Sequence, residues 1–137
     1  MARSKTLTFV LMDAPFESSR TVSALRVIDE ALNRGCNVNV FAYEGAVYLP
    51  FKHQQQHPNA VHGRDAEEED HPLPREWIAA MIALAAERKL AFEWVNCGLC
   101  VDERGAGESI DGVRRGTPAD LWKMACASDN TLVVATA

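Results

Sequence analysis

The 137-residue sequence has no apolar run approaching the roughly 20 residues needed to cross a bilayer, so no membrane span is expected. No secretory leader is expected either. "MARSKTLTFVLMDAP" begins with positive charge, but its apolar run is only about five residues and no cleavage pattern precedes Asp13. The expected location is therefore the cytoplasm, where thiols stay reduced, and the four cysteines do not read as a disulfide framework. Basic charge is scarce: 14 Lys and Arg stand against 19 Asp and Glu, a net charge of -5. Arg114 and Arg115 alone make no phosphate footprint, so nucleic acid is not an expected partner. There is no Gly-x-Gly-x-x-Gly and no P-loop, hence no sign of a nucleotide; no organic cofactor is expected. Internal repeats and a Ser-His-Asp ordering are absent too.

What is present is a balanced globular composition, 47% hydrophobic and 24% charged, at a length suited to one domain spanning residues 1–137. "TLTFVLMDAP" reads as a buried strand stopped at Asp13-Ala14-Pro15. In "SSRTVSALRVIDEALNRG", Val22, Leu25, Ile28 and Leu32 recur at helical spacing, with Ser18 or Ser19 as cap and Gly35 as stop. A second strand lies within "CNVNVFAYEGAVYL", where Val38, Val40 and Ala42 oppose Asn37, Asn39 and Phe41. Strand, helix and strand with short joints form a βαβ unit, so parallel pairing is expected.

Residues from about 52 to 74 form a polar loop rich in histidine and acid. "PREWIAAMIALAAERK" is a helix, with Trp77, Met81 and Leu84 in one line and Ile78, Ile82 and Ala85 in the next. "AFEWVN" is a third strand, and a short strand is expected around Val113. Thr117, Pro118 and Asp120 open another helix with a capping box, and "NTLVVATA" closes as a strand. This alternation predicts a three-layer α/β/α sandwich with a mostly parallel sheet of about five strands. Trp77 and Trp122 lie on apolar helix faces and are expected in the core or at a subunit interface. Cys36 and Cys126 are expected to pack.

The chemistry concentrates in "VNCGLCVDERGA". Cys97 falls where the third strand should end, and sites in open α/β sheets form beyond those ends. "GLCVDERG" can form a short helix closed by Gly105. Cys97 then stands at its start, where free amides favour a thiolate, and Cys100 lies one turn on. The residues alone leave four readings open: two packing residues, half of a metal site, a redox dithiol, or a nucleophilic thiol on Cys97 assisted by Cys100. The metal reading lacks a second Cys-x-x-Cys. The redox reading expects the pair after the first strand and before a long helix.

All four histidines, His53, His57, His62 and His71, lie in the polar loop among Asp65, Glu67, Glu68, Glu69 and Asp70. They are candidates for binding a metal or a partner. Their spacing matches no zinc signature, and a solvated loop is the plainer reading. Asp13, at the end of the first strand, shares the sheet edge with Cys97 and either shapes the site or caps the next helix. Arg104 pairs with a bound anion or with a neighbouring carboxylate.

The order of elements, with "NCGLCVDERGA" above all, resembles the DsrE/DsrF-like family, which includes the TusD subunit of the sulfur relay. Its Cys-x6-Arg-Gly interval is met by Cys97, Arg104 and Gly105. Its aromatic-x-Glu-Gly-Val-Tyr segment resembles Tyr43, Glu44, Gly45, Val47 and Tyr48. "GTPADLWKMACASDNTLVV" resembles its last helix and strand. The similarity spans roughly residues 7–49 and 77–135. It implies a DsrE-like fold and a sulfurtransferase-type carrier that holds sulfane sulfur as a persulfide on Cys97. It also implies TusA-like or DsrC-like donor and acceptor proteins, and a homo-oligomer (trimer or hexamer) or an assembly with related subunits. Cys100 and the long histidine-rich loop depart from the family pattern. They keep two alternatives in view: a metal- or partner-binding regulatory module, and a Cys-x-x-Cys thiol-disulfide oxidoreductase.

Overall fold

A computed structural model describes residues 3–136; Met1, Ala2 and Ala137 lie outside them. Five strands form one sheet: β1 (Thr6–Leu11), β2 (Asn37–Ala42), β3 (Phe92–Cys97), β4 (Val113–Gly116) and β5 (Asn130–Val134). Their order is β4-β3-β2-β1-β5, and every neighbouring pair is parallel. The expected sheet is thus observed, with the short strand at Val113 on one edge.

The helices are α1 (Ser19–Asn33), α2 (Ala66–Glu69), α3 (Pro74–Glu87), α4 (Gly98–Glu103) and α5 (Pro118–Ala127). α1 and α3 cover one face, where Val38, Val40, Ala42 and Trp94 meet Leu25, Ile28, Leu32, Ile78 and Met81 in the main core. α4 and α5 belong to the other face, where Phe41, Val95 and Cys97 pack with Cys100, Val101 and Met124. Period-two alternation produces both sets: successive residues of β2 and β3 point to opposite faces.

Several details depart from the sequence reading. α1 is capped by the Ser18 side chain, as expected, but its buried stripe is Thr21, Ala24, Leu25, Ile28, Ala31 and Leu32. Val22 lies at the edge of that stripe and is exposed. The ladder of β2 stops at Ala42, and Glu44–Tyr48 coil into a 3-10 turn. Two causes end the strand, one local and one remote. Glu44 takes a left-handed φ of +50°, which an extended ladder does not accept. Gly45 lies so close to the chain before α1 that a Cβ there would stand 3.0 Å from Ala14.

Trp77 does pack against the main core, whereas Trp122 is 73% exposed, outside the core of this chain. Cys36 is half-buried against the core, but Cys126 is exposed, contrary to the packing role expected of it. The polar loop is not featureless. It contains a 3-10 turn (Ala60–His62) and the single-turn α2, which Asp65 and Glu68 close with a capping box. Gln54 fastens its start, donating to the carbonyls of Tyr48 and Leu49 and accepting from the Arg75 amide at 3.0 Å.

Candidate functional site around Cys97 and Cys100

β3 delivers Cys97 to the carboxyl edge of the sheet. Its neighbours Trp94 and Asn96 point to the main core, where the Trp94 indole donates to Asn96 Oδ1 at 3.1 Å. Asn96 in turn donates to the Val47 carbonyl and to Ser109, so this buried amide is satisfied and fixes the end of the strand. Cys97 points the other way and is the cap residue of α4. Its place at the strand end agrees with the sequence reading, and its burial, at 2% exposure, is what the packing reading of the pair expects.

Cys100 follows one turn later and is 5% exposed. The Glu44 backbone N–H donates to its Sγ at 3.3 Å. Burial pushes the Cys100 thiol up to about 11, and its interaction with the adjacent Cys97 thiol acts in the same direction. The Glu44 N–H opposes both, because a donor favours the thiolate. The negative charge that Cys100 carries when ionised, and then that of Glu44, hold the Tyr43 phenol above its ordinary range.

A second set of contacts ties α4 to the 3-10 turn. Arg104 Nη2 lies 3.0 Å from Glu44 Oε2, and that hydrogen bond is the main reason its guanidinium holds its proton more firmly than usual. The Tyr48 hydroxyl donates to the Arg104 carbonyl. Arg115 on β4 donates to the Gly98 carbonyl at 2.9 Å and pairs with Asp102 at 2.8 Å. Gly105, at φ +59°, lets the chain leave α4. Arg104 thus pairs with a neighbouring carboxylate, one of the two roles considered for it.

Asp13 is buried and accepts from the Ser18 hydroxyl at 2.6 Å. It therefore acts on the α1 cap through Ser18 rather than as the cap itself. Asp13, Glu17, Ser18, Tyr43, Glu44 and Arg104 line one cleft of about 650 Å³ at the sheet edge. A second cleft, of about 520 Å³, includes Lys52, Asn96, Val101 and Arg115. Neither is lined by Cys97 or Cys100.

The histidines are only partly gathered. The rings of His57 and His71 lie 5.3 Å apart, His71 also meets Phe16, and His53 meets Phe51. His62 is exposed at the end of its turn. Among the described residues no three His, Cys, Asp or Glu side chains are grouped to hold a metal ion. Tyr43, Glu44, Tyr48 and Arg115 were not singled out as site residues from sequence. The available signal was the Tyr43-Glu44-Gly45 motif, which stands against the cysteine segment although more than fifty residues separate the two.

Comparison with known proteins agrees with the fold. The model of the DsrE/DsrF-like family matches residues 5–134. The chain is 32% identical over 127 residues to the uncharacterized protein MJ0989 of Methanocaldococcus jannaschii, covering 91% of this chain and 96% of that protein. It is also 32% identical over 128 residues to the uncharacterized protein MK0008 of Methanopyrus kandleri, covering 92% and 91%. The crystal structure of the YchN protein from E. coli superposes with a TM-score of 0.71 at 20% identity, covering 94% of this chain and 98% of that one. Among the described residues no helix is long and apolar enough to cross a membrane.

Proposed function

The chain belongs to the DsrE/DsrF-like family, and from that premise we propose that it is a cytoplasmic sulfur carrier, with sulfane sulfur held on Cys97. One observation carries this reading: the two family-like segments, 43–48 and 97–105, close on each other around the cysteine pair. The bonds from Glu44 to Cys100 and from Arg104 to Glu44 join them. In the transfer, the Cys97 thiolate attacks the outer sulfur of a donor persulfide. The donor's sulfur–sulfur bond breaks, the donor leaves as a thiolate, and Cys97 becomes a persulfide. An acceptor thiolate then attacks that outer sulfur, and Cys97 departs as thiolate. Oxidation states balance without a cofactor.

Burial gives the site a storage character. A sulfur on Cys97 is sheltered from water and stray thiols, so loading and unloading require α4 to yield. Arg104 and Arg115 are the residues that pin it. Leu99, Trp122 and Val133 on the α4 and α5 side are large, apolar and exposed. They suit contacts between copies or with a partner protein, in keeping with a homo-oligomer that meets donor and acceptor proteins.

Cyanolysis tests the reading. The chain is loaded with a low-molecular-weight persulfide in a Cys126→Ser background, since that exposed thiol would also react. Cyanide should then release thiocyanate stoichiometric with the chain, and Cys97→Ser should release none. Equal thiocyanate from both would remove Cys97 as the carrier. A dithiol oxidoreductase, the second reading of the same pair, would need Cys100 as strictly as Cys97; loading that survives Cys100→Ser separates the two.

A further inference from the structure

Transfer through Cys97 leaves the second thiol of the pair without a task. Cys100 stands three positions later, one helical turn, so both side chains issue on nearly one face. Both lie inside the same apolar cluster and interact with each other. Cys100 Sγ is held at that place by the Glu44 amide, 3.3 Å away. The thiol that shares this cluster with Cys100 is that of Cys97, whose Sγ is the inner sulfur of a loaded persulfide.

Building on the carrier reading, we propose that Cys100 is a resolving thiol that discharges the Cys97 persulfide as hydrosulfide when no acceptor takes the sulfur. The Cys100 thiolate attacks Cys97 Sγ, and a Cys97–Cys100 bond forms. The bond between Cys97 Sγ and the outer sulfur breaks, and its electron pair leaves with the outer sulfur as HS⁻. The two cysteines lose two electrons and the sulfane sulfur gains them, so no outside reductant enters the step. The proton released by Cys100 is available to the departing sulfide. Reuse requires a dithiol or low-molecular-weight thiol to reduce the disulfide. Attack on the outer sulfur would only move the sulfane sulfur to Cys100 and release nothing. Because burial keeps Cys100 largely protonated at neutral pH, the discharge is slow and gives an acceptor time to act.

A time course separates this from the carrier reading. Wild type and Cys100→Ser are loaded anaerobically with a low-molecular-weight persulfide, freed of donor, and held at constant pH. Sulfide is measured as the peptide 90–104 is followed by mass. Trypsin releases it after Lys89 and Arg104, and it contains both thiols and no other cysteine. Wild type should lose its gain of about 32 Da and settle about 2 Da below the reduced peptide, with equimolar sulfide. Cys100→Ser should keep the gain and release sulfide at least about tenfold more slowly. Cys100→Ala serves should the serine variant fail to fold. If wild type holds its gain as long as the variants, or loses it without forming the disulfide, the resolving role is refuted while carriage stands. If neither chain loads, both fall.

Discussion

The two faces of the sheet are built from the same five strands and differ in almost everything else. Under α1 and α3, helices of 15 and 14 residues cover a core in which Trp94, Ile28, Leu32, Val38 and Val40 are wholly buried. Under α4 and α5, helices of 6 and 10 residues cover a smaller cluster that contains both site thiols. The second face is also partly polar inside: Thr8 donates to the Met124 carbonyl at 3.3 Å and accepts from Asn39. Outside, it leaves Leu99 and Trp122 in solvent. Apolar burial scales with stability, so the first face holds the fold together. The second contributes less to it and encloses the two thiols.

Core truncation is the harshest way to break that contrast. Trp94→Ala should lower unfolding stability by about 3–5 kcal/mol. Met124→Ala, on the thin face, should cost about 2 kcal/mol, near the low end for such a change. Chemical denaturation compares them, and equal losses would mean that the two faces share the load.

Freeing α4 should come next. Arg104→Ala removes an exposed ion pair, so stability should change by less than about 1 kcal/mol. Alkylation of the peptide 90–104 should nevertheless quicken about three- to tenfold, because a buried thiol reacts through opening. An unchanged alkylation rate would show that Arg104 does not hold the cover.

Alkali should weaken the thin face selectively. The folded Cys100 thiol titrates at about 11 against an ordinary 9.0. The neutral form is thus favoured by the fold, and this contribution is complete below about pH 9 and lost as pH rises through about 11. The titrating and charged groups around Cys100 are Cys97 on β3, Tyr43 and Glu44 after β2, and Arg104 at the end of α4. Between pH 9 and 10.5 wild type should lose more stability than Cys100→Ser in parallel urea titrations. Parallel losses would place the alkaline sensitivity elsewhere.

The smallest effect is expected far from both faces. His57→Ala combined with His71→Ala should leave persulfide loading unchanged and shift stability by less than about 1 kcal/mol. A loss of loading would bring the histidine loop into the site after all.

What was legible in the sequence follows from the range of the interactions involved. Helix caps at Ser18 and Thr117, the alternation in β2 and the strand end at Cys97 are all written within a few residues, and each is where the periodicity placed it. The 3-10 turn after Ala42 escaped notice because its cause is partly remote: Gly45 must fit against Ala14. The partners of Cys100 and Arg104 escaped for the same reason, since Glu44 lies 56 and 60 residues away from them in the chain. Helical spacing put Trp122 in the core or at a subunit interface, and of these it is not the core, because spacing does not reveal how far a thin layer extends. Cys126 was misjudged likewise: a small apolar residue on a short helix has no guaranteed neighbour.

The most direct measurement is the mass of the tryptic peptide 90–104 immediately after brief exposure of the reduced protein to a low-molecular-weight persulfide. A gain of about 32 Da in wild type and in Cys100→Ser, absent from Cys97→Ser, is the expected result. A gain that persists in Cys97→Ser, or no gain in any of the three, would contradict sulfur carriage on Cys97.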